Sequence, residues 1–212
     1  MQAARTGAEA SRRTFTEAAR RAQIVAAAIE TLAEVGYARA SFAQIARRAG
    51  LSSTGLISYH FAAKSELIGE VVQHVVGEIG QFMARQMTAA SGPRDALRIY
   101  IEGNCRFIAD HPAQMKALLE IFVSGGFEYD ADDERKVVSP LEEILRAGQE
   151  TAEFRDFDVT VMATLVQRAV DGLPFLLAVK PDQDIAAYAR EVGTAFDLAT
   201  RATQGSPEGS QE

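Results

Sequence analysis

The chain has 212 residues and is acidic, with 22 Lys and Arg against 29 Asp and Glu for a net charge of −7, and 47% of it is hydrophobic. That length and apolar content allow a buried core without disulfides or metals, exclude disorder for the bulk of the chain, and leave one domain or two open. The lone cysteine, Cys105, has no disulfide partner and fits a reducing cytoplasm; no apolar run approaches the ~18 residues of a membrane span, and the Ala- and Arg-rich N-terminus lacks a signal-peptide core.

The charge is unevenly distributed. Residues 1–64 hold nine Lys or Arg against four Glu, a net of +5, so the remainder carries −12. A basic segment on an acidic protein is the electrostatic footprint of a nucleic-acid binder, and simple solvated helix faces give the same count.

Residues 1–13 are small, polar and aperiodic, and are expected to form a flexible arm whose Arg12 and Arg13 could reach a minor groove. Thr14 to Glu17 reads as a capping box that opens a long helix, with Ile24, Val25, Ala28, Leu32 and Val35 on one face and Gly36 at its end. Tyr37 and Phe42 close a small core, and Arg39 with Ser41 can meet a phosphate at a helix N-terminus. Ser41 and Gln44 form a second capping box; Phe42, Ile45, Ala46 and Ala49 then follow helical spacing, opposite Gln44, Arg47 and Arg48. Gly50 suits the left-handed turn that ends a helix, and Ser52 or Ser53 can cap the next one. In that next helix Leu56 and Ile57 point inward with Phe61 in the core, leaving Thr54, Ser58, Tyr59 and His60 outside. Together these elements read as a helix-turn-helix.

The run Ile45-Ala46, Ala49-Gly50-Leu51-Ser52, Gly55-Leu56-Ile57, Tyr59-His60-Phe61 and Lys64 resembles the DNA-binding signature of the TetR family of bacterial transcriptional repressors. It has eleven residues after Gly50 up to and including Phe61, where the family usually has ten, and Ala63 where the family often has a Ser. The expected DNA-facing set is Arg39, Ser41, Gln44, Arg47, Ser52, Ser53, Thr54, Gly55, Ser58, Tyr59, His60 and Lys64. The resemblance implies that Tyr59, His60 and Lys64 mostly hold phosphates. No Arg or Lys lies on the second helix of the motif, so the bidentate contact to guanine is unavailable, and specificity falls to Gln44, hydroxyls, thymine methyls and DNA shape.

After Lys64, apolar residues from Leu67 to Met83 mark a long linker helix, with Gly69, Gly77 and Gly80 inside it explained most simply by close packing. Further helices are expected through Leu97 to Ile108, from Pro112 to Val123, from about Glu134 to Gln149 around Pro140, from Asp158, and from Pro181; residues 203–212 should be a disordered tail. The fold class is thus all-α: a three-helix DNA-binding domain at 14–64, joined by the linker helix to a ligand-binding and dimerisation bundle at 65–202. Val159–Ala178 and Ile185–Ala199 are apolar enough to form a two-fold homodimer face. An effector pocket between the linker helix, the helices at 97–124 and that at 158–178 would draw on Tyr100, Asn104, Phe107, Met115, Phe122, Arg168 and Asp171.

His60, His74 and His111 are scattered and Cys105 has no base beside it, so no catalytic group, metal or cofactor is expected. The resemblance implies a cytoplasmic homodimer that represses a pseudo-palindromic operator until a small molecule binds. An all-α scaffold for protein partners, without operator binding, is the alternative reading.

Overall fold

The computed structural model describes residues 2–202, with side chains from Thr16 onward; the expected tail at 203–212, and the side chains of Arg12 and Arg13, lie outside the described residues. Among these the fold is all-α, in the order α1 (Gln2–Val35), α2 (Phe42–Arg48), α3 (Gly55–His60), α4 (Lys64–Met87), α5 (Pro93–Asp110), α6 (Pro112–Val123), α7 (Ala131–Glu150), α8 (Val159–Val179) and α9 (Ile185–Thr200). One isolated antiparallel bridge joins Phe154 to Arg201.

Several element boundaries differ from the sequence expectation. α1 begins at Gln2, so the segment read as an arm is helical and Thr14 to Glu17 lie inside the helix instead of capping it; alanines make that extension favourable. α7 begins at Ala131, because Asp130 accepts from the backbone N–H groups of Asp132 and Asp133 and the acidic stretch sits favourably in the first turn. α9 is capped by Asp184, four residues after the lysine that ends α8, and Pro181 stays in the turn. Asp158 caps α8 and Pro112 opens α6, as their sequence positions suggest.

The helices form two compact units. One holds α1 to α3, α4 as far as Glu78, and His111–Glu128 with α6; the other holds Ile79–Asp110 and the chain from Tyr129. This division differs from a boundary after Lys64, since α4 contributes to both units and α6 packs on α1.

In the first unit Ile24, Leu32, Ile45, Ile57, Phe61, Leu67, Val71 and Ile121 are fully buried, each worth roughly 1.5–3 kcal/mol relative to exposure. α6 closes on the α1–α2 connection: the Tyr37 N–H donates to Glu120 Oε2 (3.3 Å), and a Cβ on Gly126 would stand 2.4 Å from the Tyr37 ring. The second unit is centred on Leu97, Tyr100, Ile101, Leu141, Leu145, Phe154, Met162 and Val166. α8 is, by length and composition, apolar enough to cross a membrane, in contrast to the sequence expectation. Its buried face, with Met162, Val166, Val170 and Leu173, packs instead within this helical unit, where α8 contacts α5 and α7.

A side chain at Gly69, Gly77 or Gly80 would meet nothing within 4 Å, so close packing inside the chain does not account for these glycines. Gly77→Ala and Gly80→Ala are therefore each expected to stabilise the fold by up to ~1 kcal/mol, read as a raised thermal midpoint by circular dichroism. Gly50→Ala, at φ +65°, should destabilise the fold by about 1–2 kcal/mol and lower that midpoint.

Candidate functional site

The helix-turn-helix is built by backbone capping at both sides of its turn. Ser41 and Gln44 complete the capping box: the Ser41 N–H donates to Gln44 Oε1 (3.1 Å) and the Gln44 N–H to Ser41 Oγ (3.4 Å). At the other end of α2 the Leu51 N–H reaches the Ala46 carbonyl and the Gly50 N–H reaches Arg47, a Schellman closure that requires the positive φ of Gly50. α3 starts with Thr54 at its N-cap and no side-chain cap bond, so neither Ser52 nor Ser53 caps it as expected.

Ile57 and Phe61 are fully buried and hold α3 against the core. Leu56 is not inward as the periodicity suggested: it is 39% exposed, and Tyr59 is 67% exposed with its ring edge-on to His60. Ser52, Ser53, Thr54, Gly55 and Ser58 are also exposed, and His60 is half-buried. The end of α3 is fixed by Arg21, whose guanidinium donates to the His60 carbonyl (2.7 Å), pairs with Glu70 (2.7 Å) and lies over the Phe61 ring.

The basic residues around this face differ in their engagements. Arg47 is exposed in the last turn of α2, and Arg39 is exposed with its Nε–H on the Val35 carbonyl. Arg48, by contrast, pairs with Glu30 (3.1 Å) and Glu34 of α1. Lys64 donates to the Tyr37 carbonyl (2.7 Å) and sits 4.2 Å over the Tyr37 ring, and partial burial lowers its pKa. A half-open hollow of about 290 Å³ lies beside α2, lined by Thr31, Glu34, Val35, Gln44, Arg47 and Arg48.

The residues expected to line an effector pocket fall into two groups. Met115, buried, and Phe122, exposed and edge-on to Phe127, belong to the unit of α1 to α3. Tyr100, Asn104, Phe107, Arg168 and Asp171 belong to the other unit. There the buried Tyr100 hydroxyl donates to Gln167 (2.7 Å), Gln167 donates to Asp171 (2.8 Å), Arg168 bridges Asp171 (2.8 Å) and Glu134, and Glu134 accepts from Tyr129 (2.7 Å). Asn104 donates to the Tyr100 carbonyl, and Phe107 packs edge-on with Phe82. Gln167 and Glu134 are the links that sequence reading missed. Gln167 lies one turn before Asp171 on α8, but Glu134 comes from another helix and no local pattern announces it.

Residues 24–71, from mid-α1 into α4, match the family described as bacterial regulatory proteins, tetR family. BetI 1 of Chromohalobacter salexigens, an HTH-type transcriptional regulator, is 37% identical over 86 residues, 40% of this chain and 42% of that protein. BetI of Yersinia pestis is 36% identical over 107 residues, 50% of this chain and 54% of its own length. The match thus spans about half the length of these curated relatives. A TetR-family structure from Shewanella sp. PV-4 superposes with a TM-score of 0.70 at 18% identity, covering 87% of this chain and 99% of that one. The fatty acid degradation regulator FadR of Bacillus halodurans gives 0.74 at 21% identity, covering 84% and 94%. These two likenesses establish the shared helical fold.

Burial raises the Asp171 carboxyl above the ordinary carboxylate range, and the Gln167 bond and Arg168 offset this only in part. An acid whose folded pKa lies above its unfolded one binds its proton more tightly in the native state, so its ionised form costs stability at neutral pH, and the cost fades as pH falls through the folded pKa. The Asp171 side chain is nevertheless 42% exposed, so solvent screens much of this cost. Asp171→Asn, which keeps an acceptor for Gln167, is expected to be only slightly more stable than wild type at neutral pH in urea unfolding, with the gap closing toward acid.

Proposed function

The chain belongs to the TetR family of bacterial regulatory proteins through residues 24–71, and from that premise we propose a cytoplasmic homodimeric repressor, released from a pseudo-palindromic operator by a small-molecule effector. The observation that carries this reading is the exposed face of α3, anchored from beneath by Ile57 and Phe61 and joined to a capped α2 in a basic segment. Arg39, Ser41, Arg47 and Lys64 would hold phosphates together with Tyr59 and His60, while Gln44 and the α3 face meet base edges. In this role Lys64 keeps its Tyr37 bond and offers its other ammonium hydrogens.

The dimer face would be built from α8 and α9, where Val161, Leu165, Phe175 and Leu198 are more than half exposed. Two α3 helices then enter successive major grooves about 34–36 Å apart. The effector would be received in the unit containing Tyr100, Asn104, Phe107, Arg168 and Asp171, with Met115 and Phe122 on α6 responding. α5 ends at Asp110 and α6 starts at Pro112, with His111 between them. α6 in turn holds Tyr37 through Glu120, next to the start of α2. Release is a population shift, and moving the dimer from 1:99 to 99:1 takes ~10⁴-fold preference of effector for the released form.

Selection from a random duplex pool, repeated with metabolite extract, tests the reading: one enriched palindromic sequence, lost on adding extract, is the expected result, and salt-insensitive or absent DNA binding would favour the protein-scaffold alternative. Arg47→Ala should weaken binding to all sequences alike and reduce the salt slope by about one unit for each phosphate it no longer neutralises. Arg48→Ala, at a residue already paired with Glu30 and Glu34, should leave that slope nearly unchanged.

A further inference from the structure

α3 carries two adjacent branched apolar residues with opposite surroundings. Ile57 is fully buried, whereas Leu56 is 39% exposed on the side of the helix that also presents Tyr59. The fully buried anchors of α3 are Ile57 and Phe61, whereas Leu56 keeps more than a third of its surface open to solvent. Gly55, just before it, has an ordinary φ, and a Cβ there would meet only Ser53 Oγ at 3.4 Å. No packing demand within the chain therefore keeps position 55 bare.

The outcome is a low apolar ridge of Gly55, Leu56 and Tyr59 flanked by the hydroxyls of Ser52, Ser53, Thr54 and Ser58. From Leu51 to Ala63 there is no Arg, Lys, Asp or Glu. The cations lie on neighbouring elements, at Arg39 and Arg47. This arrangement fits an occupant that is anionic at its edges and uncharged, with an apolar group, at its centre. The major groove of duplex DNA meets that description where it presents the C5-methyl of thymine, the one apolar group among the base edges.

We infer that Leu56 is a specificity-determining residue that packs on a thymine methyl in each operator half-site. The inference rests on the operator-binding reading above. Gly55 lets the base edge approach α3 closely, and Leu56 supplies the apolar contact beside it.

Uracil differs from thymine only by that methyl, which makes the test direct. With the sequence enriched from a random duplex pool by the full-length protein, each thymine is replaced singly by uracil and affinity is measured for wild type and Leu56→Ala. Wild type should lose about fourfold at one position of a half-site, the worth of one buried methyl (~0.8 kcal/mol at ~1.4 kcal/mol per tenfold), and about sixteenfold when both halves are substituted. Leu56→Ala should bind the thymine and uracil forms of that position equally. Because 39% exposure leaves much of the Leu56 side chain covered, a somewhat lower thermal midpoint is expected too, and affinities are compared at a temperature where both proteins keep their helical circular dichroism. The uracil series needs no protein variant, so its reading stands even if the variant is unstable. Wild-type affinity indifferent to uracil at every position, or an undiminished uracil effect in Leu56→Ala, would overturn the inference while leaving operator binding intact. Enrichment of no sequence at all would overturn both together.

Discussion

The N-terminal unit depends on the fixing of Tyr37. Its carbonyl receives the Lys64 ammonium, its ring lies under the same cation, and its N–H donates to Glu120 of α6. Gly126 then abuts the ring so closely that no side chain fits there. Three elements distant in sequence, the α1–α2 connection, the start of α4 and α6, thereby meet at one residue. Each bond is modest alone, roughly 1.5–3 kcal/mol for a hydrogen bond with one charged partner and about 1 for a partly exposed cation–π contact. Their joint effect is to set where α2 begins, and through the short turn after Gly50, where α3 lies.

Arginine pairing divides the basic charge of this unit into structural and available parts. Arg21 fastens α1 to the last carbonyl of α3 and to Glu70 of α4, and Arg48 fastens α2 to the acidic edge of α1. Arg39 and Arg47 remain exposed. Glu30 and Glu34 are already counted in the net of +5 over residues 1–64, whereas Glu70 offsets one further charge, which matters because affinity for DNA and its salt dependence scale with the cations that reach phosphates.

The local part of this fold was legible in the sequence, and the long-range part was not. The Ser41–Gln44 box, the Gly50 closure, the Pro112 start and the Asp158 cap are written within four residues of where they act, and the structure has each of them. The two links of the polar chain in the second unit illustrate the opposite case: Glu134 meets Arg168 across 34 residues, a partnership without any periodic signature. Periodicity also failed at Leu56, because a helix of six residues supplies less than two turns, too few to fix which of two neighbouring apolar residues faces the core. The α1 start was misplaced for a related reason. A capping box is a start signal only if the preceding residues disfavour helix, and here they are rich in alanine.

These points bear on how α3 can discriminate among sequences. A reader without arginine or lysine forgoes the ~1–3 kcal/mol per base pair of a bidentate contact and works with smaller increments from methyls, hydroxyls and groove shape. Small increments select a site only when repeated and accurately placed. The placement comes from Ile57, Phe61 and the Arg21 bond to the His60 carbonyl, none of which uses the exposed positions. The anchoring of α3 thus rests on residues other than those most exposed on its outer face.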